Sequence, residues 1–332
     1  MRAAVVGSGA WGTALALRLF ANGHEVTLWS HNAEKARQMA QTRENPVLAG
    51  VQLPEELIVT GEARSVSGCK LVVIACPSFP IRQVCGQIAP FLDADAVLVS
   101  VTKGLEADTL LRMSQIVEEV TGRPVVALTG PSHAEEVARN NPTGCVAACP
   151  DKALAEFVQD AFMADSFRVY TSPDIIGAEL GGALKNVIAL CVGVCDGMGL
   201  GDNAKAMLMT RGLTEIARLG VAMGARRETF AGLAGVGDLI VTGTSRHSRN
   251  RKAGMLLGQG KRPEEALREV GAVVEGYYCA KSAFALCCKQ GVEMPIVEAA
   301  YGLLYRGEDA SEAVRRLLMR QRRAESEDAG WN

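Results

Sequence analysis

The sequence predicts an α/β fold in two parts, a doubly wound parallel sheet over residues 1–173 and an all-helical region over residues 174–332. Three observations support this division. Short apolar runs alternate with helical patterns in the first part, a glycine-rich turn follows the first run, and helical patterns alone follow Pro173. A chain of 332 residues also exceeds what one hydrophobic core commonly organises, which favours two domains.

The strands are predicted from runs that are apolar almost without interruption, a pattern typical of strands covered on both faces. Between the first two runs, "ALALRLFANG" has the pattern of an amphipathic helix that ends at Gly23. The predicted strands are 2–7, 24–29, 70–76, 96–102 and 124–130, with 143–150 and 167–172 as candidates for the far edge.

After Pro173 the spacing of apolar residues is helical and no comparable series of strands follows. The polar tail, 322–332, is expected to fray. The predicted helices are 174–195, 203–223, 248–258, 263–270, 274–290, 295–305 and 309–321.

The charge balance excludes several classes of partner. With a net charge of −2 the chain has no overall attraction to nucleic acid or to an anionic membrane, so an anion site must be local. The first residues lack the apolar stretch of a signal peptide, and the uncharged run Asn186–Cys195 is about half a membrane span. We therefore expect a cytoplasmic protein that does not insert into membranes.

The ten cysteines form no C-x-x-C pair, and no H-E-x-x-H helix occurs, so no metal site is expected. Several cysteines, including Cys76, Cys145 and Cys191, stand among apolar residues. That context favours buried free thiols over a cysteine nucleophile.

Gly7, Gly9 and Gly12 form a G-x-G-x-x-G turn between an apolar strand and a helix, and a second strand follows. In this context the first glycine permits a tight turn, the second lets the backbone approach a pyrophosphate, and the third lets helix and strand pack closely. The helix N-terminus then faces the anion. The pattern predicts a Rossmann-type site for NAD or NADP, the alternative being a purely structural turn.

The second strand ends at Ser30, His31 and Asn32, with no carboxylate before Glu34. An acidic residue at this place commonly binds the ribose 2′-hydroxyl of NAD. Its absence leaves nothing to repel a 2′-phosphate, and these residues offer nothing that strongly attracts one. The preference between NAD and NADP stays open, and we expect NADP to be accepted.

Two later strands end in residues suited to a ligand, because ligands of open α/β sheets gather at the carboxyl ends of the strands. "VSVTKG" places Lys103 there, and "LTGPSHAEE" places Gly130 and Ser132 there. The alternatives are a solvated lysine and, for Ser132 with Glu135, a helix capping box.

Lys185 lies in "ELGGALKNVIALCVGVC", a run of small and aliphatic residues. A buried ammonium is costly unless it is paired or used, although a lysine can also extend its amine to solvent. The small residues Gly181 and Gly182 would let another backbone or a ligand approach this helix.

A second polar cluster, in "GLAGVGDLIVTGTSRHSRNRKAG", carries Asp238, Ser248, Arg249 and Asn250 within a locally basic segment. Arginine, serine and asparagine donors suit a small phosphorylated substrate. The alternative is a solvated basic face. Nucleic acid is disfavoured because a wider basic surface and stacking aromatics are missing.

Taken together and in order, these motifs resemble the bacterial-type NAD(P)-dependent glycerol-3-phosphate dehydrogenases over nearly the whole chain. The resemblance is carried by "GSGAWGTALA", "SVTKG", "LTGPSHAEE", "ELGGALKNVIAL", "DGMGLGDNAKAMLMTRGLTEIARLGVAMGA", "TFAGLAGVGDLIVTGTSRHSRNR" and "VVEGYYCA". It implies an oxidoreductase that interconverts sn-glycerol 3-phosphate and dihydroxyacetone phosphate, that supplies phospholipid synthesis, and that forms a homodimer.

The resemblance also implies roles for individual residues. Lys185 aligns with the general acid/base. The implied substrate residues are Lys103, Gly130, Ser132, Asp238, Ser248, Arg249 and Asn250. The implied cofactor residues are Gly7, Gly9, Ala10, Trp11, Gly12, His31, Asn32, Lys103, Ala134, Arg249, Val273 and Glu275.

Two positions depart from the family pattern, which often has serine at Ala10 and commonly has arginine at Asn32. The second departure bears on the 2′-phosphate. Two other functions remain as alternatives: a β-hydroxyacid dehydrogenase that acts on a carboxylate, and a non-catalytic module that senses NAD(H).

Overall fold

The computed structural model describes residues 1–322 and 324–325. Eight strands form one sheet in the order β3-β2-β1-β4-β5-β6-β7-β8. All neighbouring strands pair in parallel except β6 with β7. The strands are β1 (Arg2–Val6), β2 (Glu25–Trp29), β3 (Ile58–Thr60), β4 (Leu71–Ile74), β5 (Val97–Ser100), β6 (Val125–Thr129), β7 (Thr143–Ala148) and β8 (Phe167–Ser172).

The sheet reverses its winding at β1, which pairs with β2 on one side and β4 on the other. A crevice opens at such a switch point beyond the carboxyl ends of the strands. The glycine turn that follows β1 lies there.

Six α-helices accompany the sheet and nine follow it in the described residues. The first six are α1 (Ala10–Ala21), α2 (Ala33–Thr42), α3 (Ile81–Ile88), α4 (Met113–Thr121), α5 (Ala134–Val137) and α6 (Lys152–Phe162). The others are α7 (Ile175–Gly197), α8 (Gly201–Ala222), α9 (Arg227–Phe230), α10 (Asp238–Thr244), α11 (Arg249–Gly258), α12 (Pro263–Val270), α13 (Glu275–Gln290), α14 (Pro295–Tyr305) and α15 (Ala310–Leu318).

Apolar cores cover both faces of the sheet, one built with α1, α5 and α6 and the other with α3 and α4. A separate core joins the later helices around α7. By length and composition α7 resembles a membrane span, but 89% of its most apolar window is buried inside the protein. Its apolarity is therefore explained by a central position in the helical core.

Helices α7 and α11 touch at glycines. A methyl group added to Gly193 or Gly197 of α7 would overlap the backbone of α11, and one added to Gly254 or Gly258 of α11 would overlap the backbone of α7. This contact leaves no layer of side chains between the helices, so their axial positions are mutually fixed.

Buried polar contacts join the sheet to α7. The carboxylate of Glu179 on α7 accepts from the Ser114 amide at 2.7 Å and from its hydroxyl at 2.6 Å, and it pairs with Arg112. Arg112 and Ser114 precede and begin α4. The loop between β5 and α4 is thereby tied to the central helix of the second half.

The structure confirms the predicted fold class and all seven predicted strands, and it adds the short strand β3. The far-edge strand β7 runs antiparallel to β6, which the apolar runs did not indicate. The predicted helices are present, with α9, α10 and a π-helical turn at Leu233–Gly237 in addition. The expected fraying of the tail falls mostly outside the described residues.

Candidate active site

The glycine turn has the geometry that a dinucleotide needs. Gly7 has φ +128°, and a Cβ there would lie 2.5 Å from the carbonyl oxygen of Ala75. A Cβ on Gly12 would overlap the Gly7 carbonyl, whereas nothing lies within 4 Å of the corresponding position on Gly9. Gly9 precedes α1 without a side-chain cap. The first and third glycines are required for packing, and the second leaves space for a ligand.

Ala10 and Trp11 begin α1, half-buried beside this turn. At the end of β2, Ser30 is buried, while His31 and Asn32 are exposed. The Asn32 side chain accepts the Lys35 amide at 2.9 Å and caps α2. Asn32 therefore has a structural task besides any contact with a cofactor.

Glu275 connects the two halves near the end of β4. Its carboxylate accepts from the Ser78 amide at 3.2 Å and from the Ser78 hydroxyl at 2.7 Å. Burial raises the pKa of Glu275, while the Ser78 donors and the positive charge of Arg249 act to lower it. Val273 lies half-buried two residues earlier. No motif in the sequence pointed to Ser78.

Lys103, which follows β5, forms a hydrogen bond with Gly130, which follows β6. Its ammonium donates to the Gly130 carbonyl at 3.1 Å. Gly130 has φ +149°, and a Cβ there would lie 2.7 Å from the Gly144 carbonyl oxygen. The capping box considered for Ser132 and Glu135 is wrong. His133 is the residue that precedes α5, and the Ser132 hydroxyl instead donates to the Gly130 carbonyl at 3.1 Å.

Lys185 lies at the centre of a buried cluster. Its ammonium donates to Asp238 Oδ1 at 2.6 Å and to the Thr242 hydroxyl at 2.5 Å. The other carboxylate oxygen of Asp238, Oδ2, accepts from Lys103 at 2.6 Å. The side chains of Lys185 and Asp238 are 7% and 1% exposed, against 20% for Lys103. One carboxylate thus holds two ammonium groups, one from each half of the molecule.

The surroundings of Lys185 favour its neutral form. Burial lowers its pKa from 10.5 to about 8, with Asp238 acting to raise it and Lys103 to lower it. Removal of an ammonium from water disfavours the charge, and the nearby carboxylate only partly compensates. An amine with this pKa can both donate and accept a proton near neutral pH.

Small residues on α7 allow the groups around Lys185 to pack directly against this helix. A Cβ on Gly181 would lie 2.5 Å from the Ala234 carbonyl oxygen. A Cβ on Gly182 would lie 2.8 Å from the Thr129 hydroxyl and 3.6 Å from Cγ of Lys103. The predicted close approach to this helix is confirmed, and the approaching groups belong to the protein.

The first turn of α11 carries the remaining predicted substrate residues. The buried Asn250 donates to Asn186 Oδ1 at 2.9 Å and accepts the Gly276 amide at 2.8 Å. The Ser248 hydroxyl accepts the Arg251 amide at 3.2 Å and caps α11. Arg249 is exposed and forms no ion pair with another described residue.

Arg251 does not belong to an exposed basic face, because its guanidinium pairs with Asp196 at 2.6 Å. All ten cysteines are free. Cys145, whose thiol is within the electrostatic influence of Lys103 and Asp238, is fully buried, and burial raises its pKa to about 12. A thiol in that state is a poor nucleophile.

The structure therefore brings Lys185, Lys103, Asp238 and Gly130 into direct contact and seats Ser132 beside them. Of the other predicted residues, the glycine turn and Ala134, the buried first residue of α5, belong to the sheet half, and Arg249 and Glu275 belong to the helical half.

Comparisons with known proteins agree with this architecture. Family models described as the N-terminus and C-terminus of NAD-dependent glycerol-3-phosphate dehydrogenase match residues 2–155 and 174–315. The glycerol-3-phosphate dehydrogenase [NAD(P)+] of Thermoanaerobacter sp. (strain X514) is 48% identical, over 98% of this chain and 99% of that protein. That of Pelotomaculum thermopropionicum is 51% identical, over 98% and 95%.

Among solved structures, the glycerol-3-phosphate dehydrogenase of Coxiella burnetii superposes with a TM-score of 0.93 at 37% identity. That superposition covers 96% of this chain and 99% of the Coxiella chain. The matches extend through both the sheet and the helical half, so the likeness is not restricted to a cofactor-binding fold. The chain belongs to the NAD-dependent glycerol-3-phosphate dehydrogenase family.

Proposed function

We propose that this enzyme interconverts sn-glycerol 3-phosphate and dihydroxyacetone phosphate with NAD or NADP, and that Lys185 is its general acid and base. The single observation that carries the proposal is the buried ammonium of Lys185, held by Asp238 and Thr242 where the two halves meet. Membership of the family supports the substrate pair, and the cofactor is NAD or NADP.

The residues of the glycine turn fit a dinucleotide. Space above Gly9 and the uncapped N-terminus of α1 suit a pyrophosphate, while Gly7 and Gly12 cannot carry a side chain. Ala10, Trp11 and Ala134 would line the same crevice. A nicotinamide dinucleotide bound there would supply hydride transfer to or from the substrate C2.

Lys185 supplies the proton that hydride transfer requires. When C2 of the ketone receives a hydride, its oxygen becomes an alkoxide, and an ammonium beside it stabilises the charge and donates a proton. In the opposite direction the neutral amine accepts the hydroxyl proton. The lowered pKa of Lys185, about 8, makes both states available.

Asp238 positions the two ammonium groups. Its two carboxylate oxygens bind Lys185 and Lys103 at 2.6 Å each, so the cluster carries a net positive charge when both lysines are protonated. That charge faces a substrate that is itself an anion and that develops an alkoxide. Lys103 is more exposed than Lys185, which suits a substrate contact.

The phosphate of the substrate would bind at the N-terminus of α11. The exposed guanidinium of Arg249 has donors to spare, and helix N-termini attract phosphate. Ser248 and Asn250 use their side chains to cap α11 and to bridge Asn186 with Gly276. These two residues therefore hold the first turn of α11 in place. Gly130 and Ser132 would contribute to the substrate site from the loop that follows β6.

We also propose a domain boundary, a cellular location, an oligomeric state and a metabolic role for the enzyme. A domain boundary between residues 173 and 174 is supported by the end of β8 at Ser172 and the start of α7 at Ile175. Ten free cysteines suit a reducing, cytoplasmic location. Two-fold assemblies are the commonest oligomers, which favours a homodimer. A supply of glycerol phosphate for phospholipid synthesis follows from the product.

The experiment is a paired assay. Oxidation of NADH and of NADPH is followed with dihydroxyacetone phosphate and, separately, with a panel of 2- and 3-oxo acids. Turnover confined to the phosphorylated ketone supports the proposal. Turnover of an oxo acid alone would identify a β-hydroxyacid dehydrogenase, and tight cofactor binding without turnover would favour a sensing module.

A further inference from the structure

Lys35 extends from the first turn of α2 back to the glycine turn. Its ammonium donates to the Ser8 carbonyl oxygen at 2.8 Å, and Ser8 lies between Gly7 and Gly9. The side chain is half-buried. The ammonium therefore lies beside the end of β2 and the turn that would receive the pyrophosphate.

The Ser8 carbonyl does not depend on this lysine. The buried amide of Asn45 also donates to it at 3.0 Å, and the same amide donates to the Thr13 hydroxyl at 2.7 Å. The turn and α1 are thus held together by a neutral donor. Lys35 can exchange the carbonyl for a better acceptor without leaving a buried group unpaired.

Lys35 has no carboxylate partner among the described residues. Its neighbour Glu34 pairs with Arg37 at 2.9 Å, and both of those side chains are largely exposed. Burial lowers the pKa of Lys35, as expected for an ammonium that lacks a counter-ion. An unpaired, half-buried cation at this position attracts an anion.

We propose that Lys35 is a specificity residue that binds the 2′-phosphate of NADP(H). In a Rossmann-type site the adenosine ribose presents its 2′ position at the end of β2, where an acid selects NAD and a cation accommodates NADP. Here the first residues beyond β2 contain no acid, and Asn32 is occupied in capping α2. The first lysine or arginine along the chain after β2 is Lys35, and the Ser8 carbonyl fixes its ammonium. The inference rests on the proposed dinucleotide site at the glycine turn.

The matched variants are Lys35→Met and Arg37→Met, which remove one cation each from the same helix. NADPH and NADH are titrated separately into the full-length protein without substrate, and binding is followed by cofactor fluorescence. Loss of a charge-assisted hydrogen bond should weaken NADPH binding of Lys35→Met by about 10- to 100-fold. NADH binding should change less than about twofold. Arg37→Met should bind both cofactors as the wild type does, and Lys35→Arg should retain NADPH binding.

Equal weakening of NADPH and NADH in Lys35→Met would overturn the inference, because Lys35 would then act on the glycine turn or on the pyrophosphate that both cofactors carry. Unchanged NADPH binding would overturn it as well. Wild-type protein that binds neither cofactor would instead refute the dinucleotide site, and the inference with it. Thermal unfolding of each variant establishes that the fold is intact.

Discussion

The pH dependence of turnover should report the proton on Lys185. Burial lowers the pKa of this lysine from 10.5 to about 8, a change that favours the neutral amine by roughly 3 kcal/mol. About one amine in ten is then neutral at pH 7, and about nine in ten near pH 9. A lysine in water would be almost wholly protonated at both.

The two directions of the reaction should therefore have opposite profiles. Oxidation of glycerol 3-phosphate requires the neutral amine, so kcat/KM, which reports the free enzyme, should rise about tenfold per pH unit below about pH 8 and then level. Reduction of dihydroxyacetone phosphate requires the ammonium and should decline above the same pH. Asp238→Asn removes the charge that raises the pKa of Lys185, so it should move both profiles to lower pH.

Lys185→Ala should lower kcat by about 10²- to 10⁴-fold, remove the pH step, and leave cofactor binding intact. The assay measures kcat in both directions, with glycerol 3-phosphate deuterated at C2 to show that hydride transfer limits the rate. Near wild-type turnover in Lys185→Ala, or the same pH step in both proteins, would refute the assignment and place the proton elsewhere.

Three further outcomes are expected. Arg249→Gln should raise the substrate KM by about 10- to 100-fold, with a smaller effect on cofactor affinity; an unchanged KM in steady-state assays would move the phosphate elsewhere. Glu215 is buried with its pKa raised from 4.5 to about 7, so the native state keeps a proton that the unfolded state releases. Stability should fall as pH rises through that interval, and Glu215→Gln should lose this decline, as urea unfolding on either side of it would show. Gly193→Ala forces a methyl group against the Arg251 carbonyl and should cost about 1–3 kcal/mol of unfolding free energy. An unfolding free energy equal to that of the wild type would mean that α7 and α11 can move apart to accommodate the methyl group at no cost.

The strands were predictable because their apolar runs report burial on two faces directly. The antiparallel direction of β7 was not, because the direction of pairing depends on the connection and not on the residues of the strand. The three-residue strand β3 is too short to show a pattern. Helix α7 was predictable from its composition, and the glycines within it indicated a close contact without naming the partner.

The candidate site was predictable where motifs lie at the ends of strands, as for Gly7 and Lys103. The pairing of Lys103 with Asp238 was not, since 135 positions separate them and only the assembled halves bring them together. Ser132 has the spacing of a capping box, but its hydroxyl bonds back to Gly130. Lys35 lies in α2, the helix after β2. The groups that its side chain can contact depend on the residue at which that helix begins.

The glycine contact between α7 and α11 sets the spacing of the residues that the two helices carry. With no flexible side chains between them, neither helix can slide along the other without a collision of backbone atoms. Lys185 on α7 and Arg249 at the start of α11 are therefore held at a fixed separation. In the proposed mechanism, a substrate whose phosphate binds Arg249 would meet the Lys185 amine at a distance that this backbone contact has already set.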